Sequence, residues 1–264
     1  MTIEEIRDYD DEIFEAIKEN FHNSLPTFSK VGFSNVGRAL MMFFTKTNFI
    51  KNAIFDICEN DDIYSANILL RSLVEHHLKF MFIFIRHSKE QNDDVGIEYY
   101  EFCDFSESII NGKSWLDSWQ ISTPENEKKL YEIILERKPE LKKYSQKEII
   151  QKAKQFNYRN IVSFIKNSIE GEKIPYGWLD KIIPNYGDLS SYVHGGPLAD
   201  KYVMHFSKDE EREKELINIC NLTFLTANTL KQFHYLFLSQ LDKEQYLETL
   251  TKIDSVLNKF NKTA

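Results

Sequence analysis

Residues 63–89, IYSANILLRSLVEHHLKFMFIFIRHSK, contain no glycine or proline and place apolar side chains three and four residues apart. This spacing predicts one long α-helix, capped at its start by residues 60–62. Its longest unbroken apolar run, FMFIFI at residues 80–85, is much shorter than the ~20 residues that span a bilayer. We therefore expect this helix to lie in the core of a protein and not in a membrane.

The rest of the chain repeats the helical pattern, and no segment alternates as a strand does. With 9 glycines and 6 prolines in 264 residues, the sequence predicts an all-α fold. We predict an antiparallel bundle of long helices, with residues 1–264 as a single domain and 113–180 as a helical insertion. The predicted helices cover residues 2–23, 34–59, 63–89, 93–110, 124–138, 145–156, 158–170, 209–241 and 244–261, with two short helices between 175 and 197.

Short signals mark the expected ends of several helices. Thr2 with Glu5 and Ser145 with Glu148 form capping boxes, which open helices. The segment SLPTFSKVGFS, residues 24–34, is expected to break the first helix, and Gly112 is expected to stop the helix that begins at residue 93.

Composition limits the function classes. The chain has 33 basic and 41 acidic residues, a net charge of −8, which argues against bulk nucleic-acid binding by phosphate neutralisation but leaves room for a local basic site. Its three cysteines are far apart, which is typical of a reduced intracellular protein. The first residues, MTIEEIRDYDDEIF, lack the apolar core of a signal peptide, so we expect a cytoplasmic location.

A polar stripe interrupts the apolar side of the 63–89 helix. At about 100° per residue, Asn67 and Glu75 lie about 40° to either side of Arg71, and His76 lies about 140° away on a different polar face. Charges taken into the interior cost several kcal/mol unless they are paired. Arg71 and Glu75 are therefore either a structural ion pair between helices or the lining of a polar pocket that needs further partners.

The segment LSSYVHGGP, residues 189–197, is a candidate for those partners. In a helix, Tyr186, Leu189 and Val193 would share an apolar face, and Ser190 and His194 would lie four apart on its edge. The last turn of a helix favours a protonated His194, and a nearby Glu75 would reinforce this, which suits a general acid or base. The alternative is that His194 only caps its own helix. We assign Asn67, Ser190 and Tyr192 to substrate binding.

Two segments together suggest a family. Arg71, Ser72 and His76 match the R-φ-x-x-x-H pattern of HEPN-type helical proteins. The wider layout resembles a set of bacterial helical proteins with an early R-S-L-x-E helix, here residues 71–75, and a late S-x-x-x-H-G segment, here residues 190–195. The resemblance covers about residues 50–240.

This resemblance implies a metal-independent ribonuclease of toxin or antiviral-defence type, which forms its site across a homodimer. Arg71 would hold the scissile phosphate and His76 would carry protons, with RNA as substrate and an antitoxin or defence-system protein as partner. Two versions of the site remain open: Arg71 with His76 across a dimer, or Arg71 with Glu75 and His194 in one chain. The alternative function is a non-catalytic helical module that binds a nucleotide, a nucleic acid or a protein.

Other features add less. Residues 137–154 are basic, and Lys142 and Lys143 are candidates for RNA docking, with Tyr144, Phe156 and Tyr158 among or near them to stack on bases; the alternative is a solvated helical face. The apolar residues of the 209–241 helix are expected mostly in the core, with a possible surplus as a dimer seam. No metal-binding, phosphate-loop or dinucleotide-binding pattern occurs in the sequence, so we expect no metal and no cofactor.

Overall fold

The computed structural model describes residues 1–169, 179–206 and 209–263, and it is all-α, as predicted. No strand occurs in these described ranges. Short 3₁₀ turns at Phe21–Asn23 and Pro139–Lys143 and a π-helical turn at Tyr99–Cys103 accompany the α-helices. The α-helices are α1 Ile3–Ile17, α2 Ser24–Lys30, α3 Ser34–Glu59, α4 Ile63–Glu90, α5 Asp94–Glu98, α6 Asp104–Ser118, α7 Pro124–Arg137, α8 Gln146–Lys154, α9 Tyr158–Ile169, α10 Leu179–His194, α11 Pro197–His205, α12 Asp209–Leu241 and α13 Lys243–Thr263.

The long helices form a bundle in which α4 is central. A tight turn at residues 60–62 joins α3 and α4 into an antiparallel pair, and the Asp62 carboxylate accepts a hydrogen bond from the Ser65 amide to cap α4. Helices α12 and α13 form a second closely packed pair, and α1 packs against both of them. Because α3, α9, α10 and α12 all contact α4, side chains on most of its circumference are covered.

A second, smaller core lies beside the bundle. It contains residues of the π-helical turn, of α6, α7 and α8 and of the 3₁₀ turn between α7 and α8: Phe102, Phe105, Ile109, Ile134, Leu141, Ile149 and Ala153. The main core takes in Phe156, Ile161 and Ile165, so α9 packs on α4. The insertion predicted at 113–180 overlaps the smaller core, and its residues 170–178 lie outside the described part of the chain.

Helix boundaries differ from the prediction in several places. Residues 24–30, expected to be a break, form α2, because Pro26 falls in its first turn, where a missing N–H costs nothing. Helix α6 continues through Gly112, which is a packing position: a β-carbon there would lie 2.6 Å from the Leu130 side chain of α7. Residues 179–194 form one helix, α10, that continues through Pro184 and ends before Gly195, whose φ is +59°.

The apolar face of α12 is covered inside the bundle. Phe224, Leu230 and Tyr235 are fully buried, and α12 packs against α3, α4 and α13. The side of α12 that we expected to be available for a dimer seam is thus largely used within one chain. Across the described residues, no helix combines the length and the apolarity needed to cross a membrane.

Sequence reasoning did not predict a buried ionic cluster between α1, α3 and α12. Asp10 pairs with Lys51, accepts a hydrogen bond from Asn228 at 3.0 Å and lies 3.5 Å from the Lys231 amine. Burial opposes ionisation of Asp10, but the charges of Lys231 and Lys51 outweigh it and lower the pKa of this carboxyl. Two buried lysines therefore depend on one carboxylate.

Candidate functional site

Arg71 connects α4 to α10. Its Nε donates a hydrogen bond to Ser190 Oγ at 3.1 Å, and its Nη2 donates to the Tyr186 hydroxyl at 2.9 Å. The same Nη2 lies 3.0 Å from Glu75 Oε1, and the guanidinium carbon is 5.0 Å from the centre of the Tyr186 ring. The two segments that the sequence analysis singled out, residues 71–75 and 189–196, therefore meet in space.

Tyr186 links the two charges to each other. Its hydroxyl accepts from Arg71 and donates to Glu75, so the three side chains form a closed triangle. Burial, followed by the hydrogen bond and the negative charge of Glu75, raises the pKa of Tyr186. The Tyr186 ring also stacks on Tyr158 of α9, with centroids 3.7 Å apart and planes within 9° of parallel. We call Arg71, Glu75, Tyr186 and Ser190 the Arg71 cluster.

The Arg71 cluster is neither sealed nor wide open. The Arg71 side chain is 19% exposed and that of Glu75 is 33% exposed. In the described part of the chain, Nη1 of Arg71 takes part in none of the hydrogen bonds. The guanidinium is thus held on two of its nitrogens and retains one for an external acceptor.

His194 lies at the exposed C-terminal end of α10, one turn beyond Ser190. Four residues make little more than one turn of an α-helix and rise about 6 Å, so Ser190 and His194 lie on the same edge of α10. His194 makes no hydrogen bond to any described residue. Val193, expected on a shared apolar face with Tyr186 and Leu189, is 40% exposed, whereas those two are buried.

His76 lies on a different side of α4 from Arg71, as the helical spacing predicts. Its Nδ1 is 2.7 Å from the Ser72 carbonyl oxygen, and its ring packs edge-on against Phe43 of α3. Burial lowers the pKa of His76. Within one chain, His76 is therefore not part of the Arg71 cluster.

Asn67 and Tyr192 line a cavity next to the Arg71 cluster. Asn67 is buried, and its Nδ2 donates to the Ile63 carbonyl one turn earlier in α4. Tyr192 is buried on α10, and its backbone carbonyl accepts a hydrogen bond from the Tyr64 hydroxyl at 2.9 Å. The cavity has a volume of about 220 Å³ and lies between α4, α10, α11 and α12. Asn67 lies one turn before Arg71 in α4, so the cavity lies at the end of the polar stripe that the sequence predicted.

Lys142 and Lys143 lie apart from the Arg71 cluster, in the 3₁₀ turn after α7. Both are exposed, and Lys143 lies over the Tyr144 ring at 5.1 Å. Phe156, expected to stack on bases, is instead buried against Phe82 of α4. The aromatic residues after this basic segment serve the core, because α9 packs directly on α4.

Several chemically useful groups meet at the site. In the residues that the structure describes, no three histidine, cysteine or acidic side chains lie close enough to bind a metal ion together. The Arg71 cluster offers one cation for an anionic group, one carboxylate that can accept a proton and two hydroxyls. Such a set can orient a phosphate or a carboxylate and can transfer protons.

Sequence reasoning missed the roles of Tyr186 and Tyr158. Tyr186 was assigned to an apolar face, although its position four residues before Ser190 puts both on the side of α10 that meets Arg71. The signal that could have identified it is this spacing together with the need of a half-buried Arg–Glu pair for polar partners.

Comparison with known proteins gives a family without a function. Residues 37–213 match the model of the Family of unknown function (DUF5677). The matched region begins in α3 and ends in α12. The chain belongs to this family. The matched region includes both segments of the Arg71 cluster. No curated protein and no solved structure matches the chain.

Proposed function

We propose that the chain is a metal-independent, HEPN-like ribonuclease of toxin or antiviral-defence type, with its site in the Arg71 cluster. The observation that carries the proposal is the 3.1 Å hydrogen bond from Arg71 to Ser190. It joins the R-S-L-x-E helix to the S-x-x-x-H-G segment, the two features of the wider layout that resembles a set of bacterial helical proteins. The partly exposed Arg71 keeps Nη1 for a phosphate oxygen.

In this proposal each residue has a defined role. Arg71 holds the scissile phosphate, because a guanidinium pairs well with phosphate oxygens. Glu75 takes the proton of the 2′-hydroxyl as its oxygen attacks phosphorus, and His194 supplies a proton to the departing 5′-oxygen. The products are a 2′,3′-cyclic phosphate and a 5′-hydroxyl, with Lys142 and Lys143 as contacts for more distant phosphates.

Two observations favour the version of the site within one chain over the version across a dimer. Helix α4 is covered by α3, α9, α10 and α12, so little of it remains for a second copy to approach. The Nδ1 atom of His76 already contacts the Ser72 carbonyl of its own helix, and burial lowers the pKa of His76, which disfavours the protonated ring. A homodimer and an antitoxin partner remain parts of the proposal that rest on the HEPN resemblance, and a cytoplasmic location remains a part that rests on the sequence features given above.

The test is RNA cleavage by purified protein in the presence of a metal chelator. We expect the wild type to cleave RNA to cyclic-phosphate ends. Arg71→Ala and His194→Ala should lose about 100-fold or more in rate, since a donor to the developing charge contributes about 10²–10³-fold and a positioned acid or base about 10²–10⁴-fold. His205→Ala, an exposed histidine at the end of α11, is the matched control and should retain full activity.

The melting temperature of each variant separates chemistry from folding. Loss of cleavage in a variant that melts with the wild type supports the proposal, and loss in His76→Ala but not in His194→Ala would favour the dimer version. Intact RNA with every preparation, at enzyme concentrations equal to substrate, refutes the ribonuclease.

A second candidate is a non-catalytic module that binds a nucleotide, a nucleic acid or a partner protein. It is favoured by the closed triangle of Arg71, Tyr186 and Glu75, which satisfies two guanidinium contacts without any substrate. In that case, labelled RNA or nucleotide would bind to the wild type and not to Arg71→Ala, and remain uncleaved.

A further inference from the structure

The cavity between α4, α10, α11 and α12 is a separate feature, since no member of the Arg71 cluster lines it. One part of its wall is aromatic and comprises Tyr192, Tyr202 and Phe206. Tyr202 lies nearly parallel to both neighbours, with ring centres 6.0 Å from Tyr192 and 6.2 Å from Phe206. Three π-systems therefore border one space of about 220 Å³.

Another part of the wall is acidic. Asp188 of α10 and Glu215 of α12 line the cavity, and Asp188 accepts a hydrogen bond from the Tyr202 hydroxyl at 3.4 Å. Among the described residues, Glu215 accepts a long hydrogen bond from Asn218 Nδ2, at 3.4 Å. Neither carboxylate forms an ion pair with a described lysine or arginine. Burial raises the pKa of Glu215, as expected for a carboxylate that lacks a cation.

The two acids line the same cavity as Tyr192 and Tyr202, and their charges act on both tyrosines. Burial and then the charge of Glu215 raise the pKa of Tyr192, and burial followed by Asp188 and Glu215 raises that of Tyr202. Negative potential from both acids thus reaches both tyrosines. A negative, aromatic-walled cavity repels phosphates and attracts cations.

Asn67 adds an independent observation. Its side chain is 3% exposed and lines the cavity, and its Nδ2 is used by the Ile63 carbonyl. Its Oδ1 accepts no hydrogen bond from the described residues. Because Asn67 lines the cavity, this oxygen is available to a donor inside it.

We propose that this cavity binds an organic cation, a small alkylammonium or guanidinium compound or the side chain of a lysine or arginine from a peptide. The cationic head would pair with Glu215 and Asp188, lie against the faces of Tyr192 and Tyr202, and donate to Asn67 Oδ1. Pairing with carboxylates and contact with aromatic faces both favour a positively charged ligand. The three N–H donors of an ammonium match the three acceptors, which are Glu215, Asp188 and Asn67 Oδ1. This binding does not depend on RNA cleavage.

The size of the cavity limits the ligand. An apolar cavity of about 150 Å³ holds benzene, so 220 Å³ accommodates an amine of four or five carbons. We therefore choose n-butylammonium as the probe and 1-butanol, of the same length without the charge, as its neutral counterpart.

The experiment is titration calorimetry of the full chain at pH 7. We expect n-butylammonium to bind the wild type and 1-butanol to bind at least tenfold more weakly. Glu215→Gln should weaken binding of n-butylammonium about tenfold or more, since hydrogen bonds to charged groups contribute on this scale. Glu213→Gln, an exposed residue of the same helix with the same change of charge, should bind as the wild type does.

A second variant tests the aromatic wall and a second probe tests the source of the cation. Tyr202→Leu should weaken binding several-fold, while Tyr202→Phe, which keeps the ring, should not. If N-acetyl-lysine methylamide binds more tightly than n-butylammonium, the natural ligand is a peptide side chain. If n-butylammonium binds more tightly, the natural ligand is a free amine. Both results support the site.

The proposal fails if neither cation binds to the folded wild type. It also fails if 1-butanol binds as tightly as n-butylammonium, or if Glu215→Gln and Glu213→Gln bind the probe equally well. Because no RNA is present, these outcomes are independent of the ribonuclease assay.

Discussion

Removing the Tyr186 hydroxyl tests whether the Arg71 cluster is a preorganised unit. Tyr186→Phe deletes the atom that accepts from Arg71 at 2.9 Å and donates to Glu75, and it leaves the ring stacked on Tyr158. Helical packing and burial remain unchanged, so any loss of stability reflects the polar contacts.

The size of the loss follows from the contacts and their exposure. Hydrogen bonds to charged groups contribute about 1.5–3 kcal/mol each when buried. Arg71 and Glu75 are 19% and 33% exposed, so solvent weakens both bonds and water can replace the hydroxyl. We expect Tyr186→Phe to lower the free energy of unfolding by about 1.5–2 kcal/mol.

Urea denaturation at pH 7 measures this difference against a matched control. Tyr158→Phe makes the same substitution in the stacked partner, whose hydroxyl donates to the Ile183 carbonyl at 3.3 Å. This single contact between neutral groups should cost about 0.5–1 kcal/mol.

A double-mutant cycle isolates the contact between the hydroxyl and the carboxylate. Tyr186→Phe and Glu75→Gln, alone and combined, should give a coupling free energy of about 1 kcal/mol. A coupling below about 0.3 kcal/mol, the usual error of additivity, or equal costs for Tyr186→Phe and Tyr158→Phe, would refute the idea that the cluster is held together by its hydrogen bonds.

Three further predictions concern the bundle that carries the site. Asp10→Asn should lower the free energy of unfolding by about 3–5 kcal/mol in urea denaturation, because it leaves Lys51 and Lys231 buried without a counter-charge; a loss below 1 kcal/mol would contradict this. Burial lowers the pKa of Lys231 to about 8 from 10.5, so between these pH values the unfolded chain binds more protons than the folded chain. The stability of the wild type relative to Lys231→Met should therefore rise by about 3 kcal/mol from about pH 8 to pH 10.5. Denaturation at several pH values measures this difference in stability, and a difference that does not change with pH would exclude the prediction. Gly96→Ala should lower the melting temperature by several degrees, because a β-carbon there would lie 2.3 Å from the backbone nitrogen of Val36, which cannot move aside as a side chain does; an unchanged melting temperature would show that the two backbones can separate.

The sequence predicted the long helices because their patterns are local. Helices α3, α4 and α12 carry sustained apolar spacing, and capping boxes at Thr2 and Ser145 form as expected. The errors occurred where a tertiary contact overrides a local signal. Gly112 and Pro184 are helix breakers by propensity, yet α6 and α10 continue through them, because packing in a bundle stabilises a helix by more than one unfavourable residue costs.

The buried ionic cluster was missed for a different reason. Asp10 lies in an acidic stretch of α1 whose other carboxylates are exposed, and only its spacing from Ile6 and Ile13, which puts it on the buried face, distinguishes it. Its burial follows from the meeting of α1 with α3 and α12, which bring Lys51 and Lys231 from distant parts of the chain. Pairs of this kind cannot be predicted from one helix at a time.

The Arg71 cluster lies between these two cases. The stripe of Asn67, Arg71 and Glu75 was visible on the helical wheel, and its cost in the interior required partners elsewhere. The structure supplies them from α10, through Ser190 and Tyr186. Helix α4 can therefore carry charges on the side that meets α10, because α10 offers hydroxyls there in place of methyl groups. The same side of α4 leads one turn back to Asn67 and the acidic cavity, so α10 presents polar groups to both the arginine and the cation site.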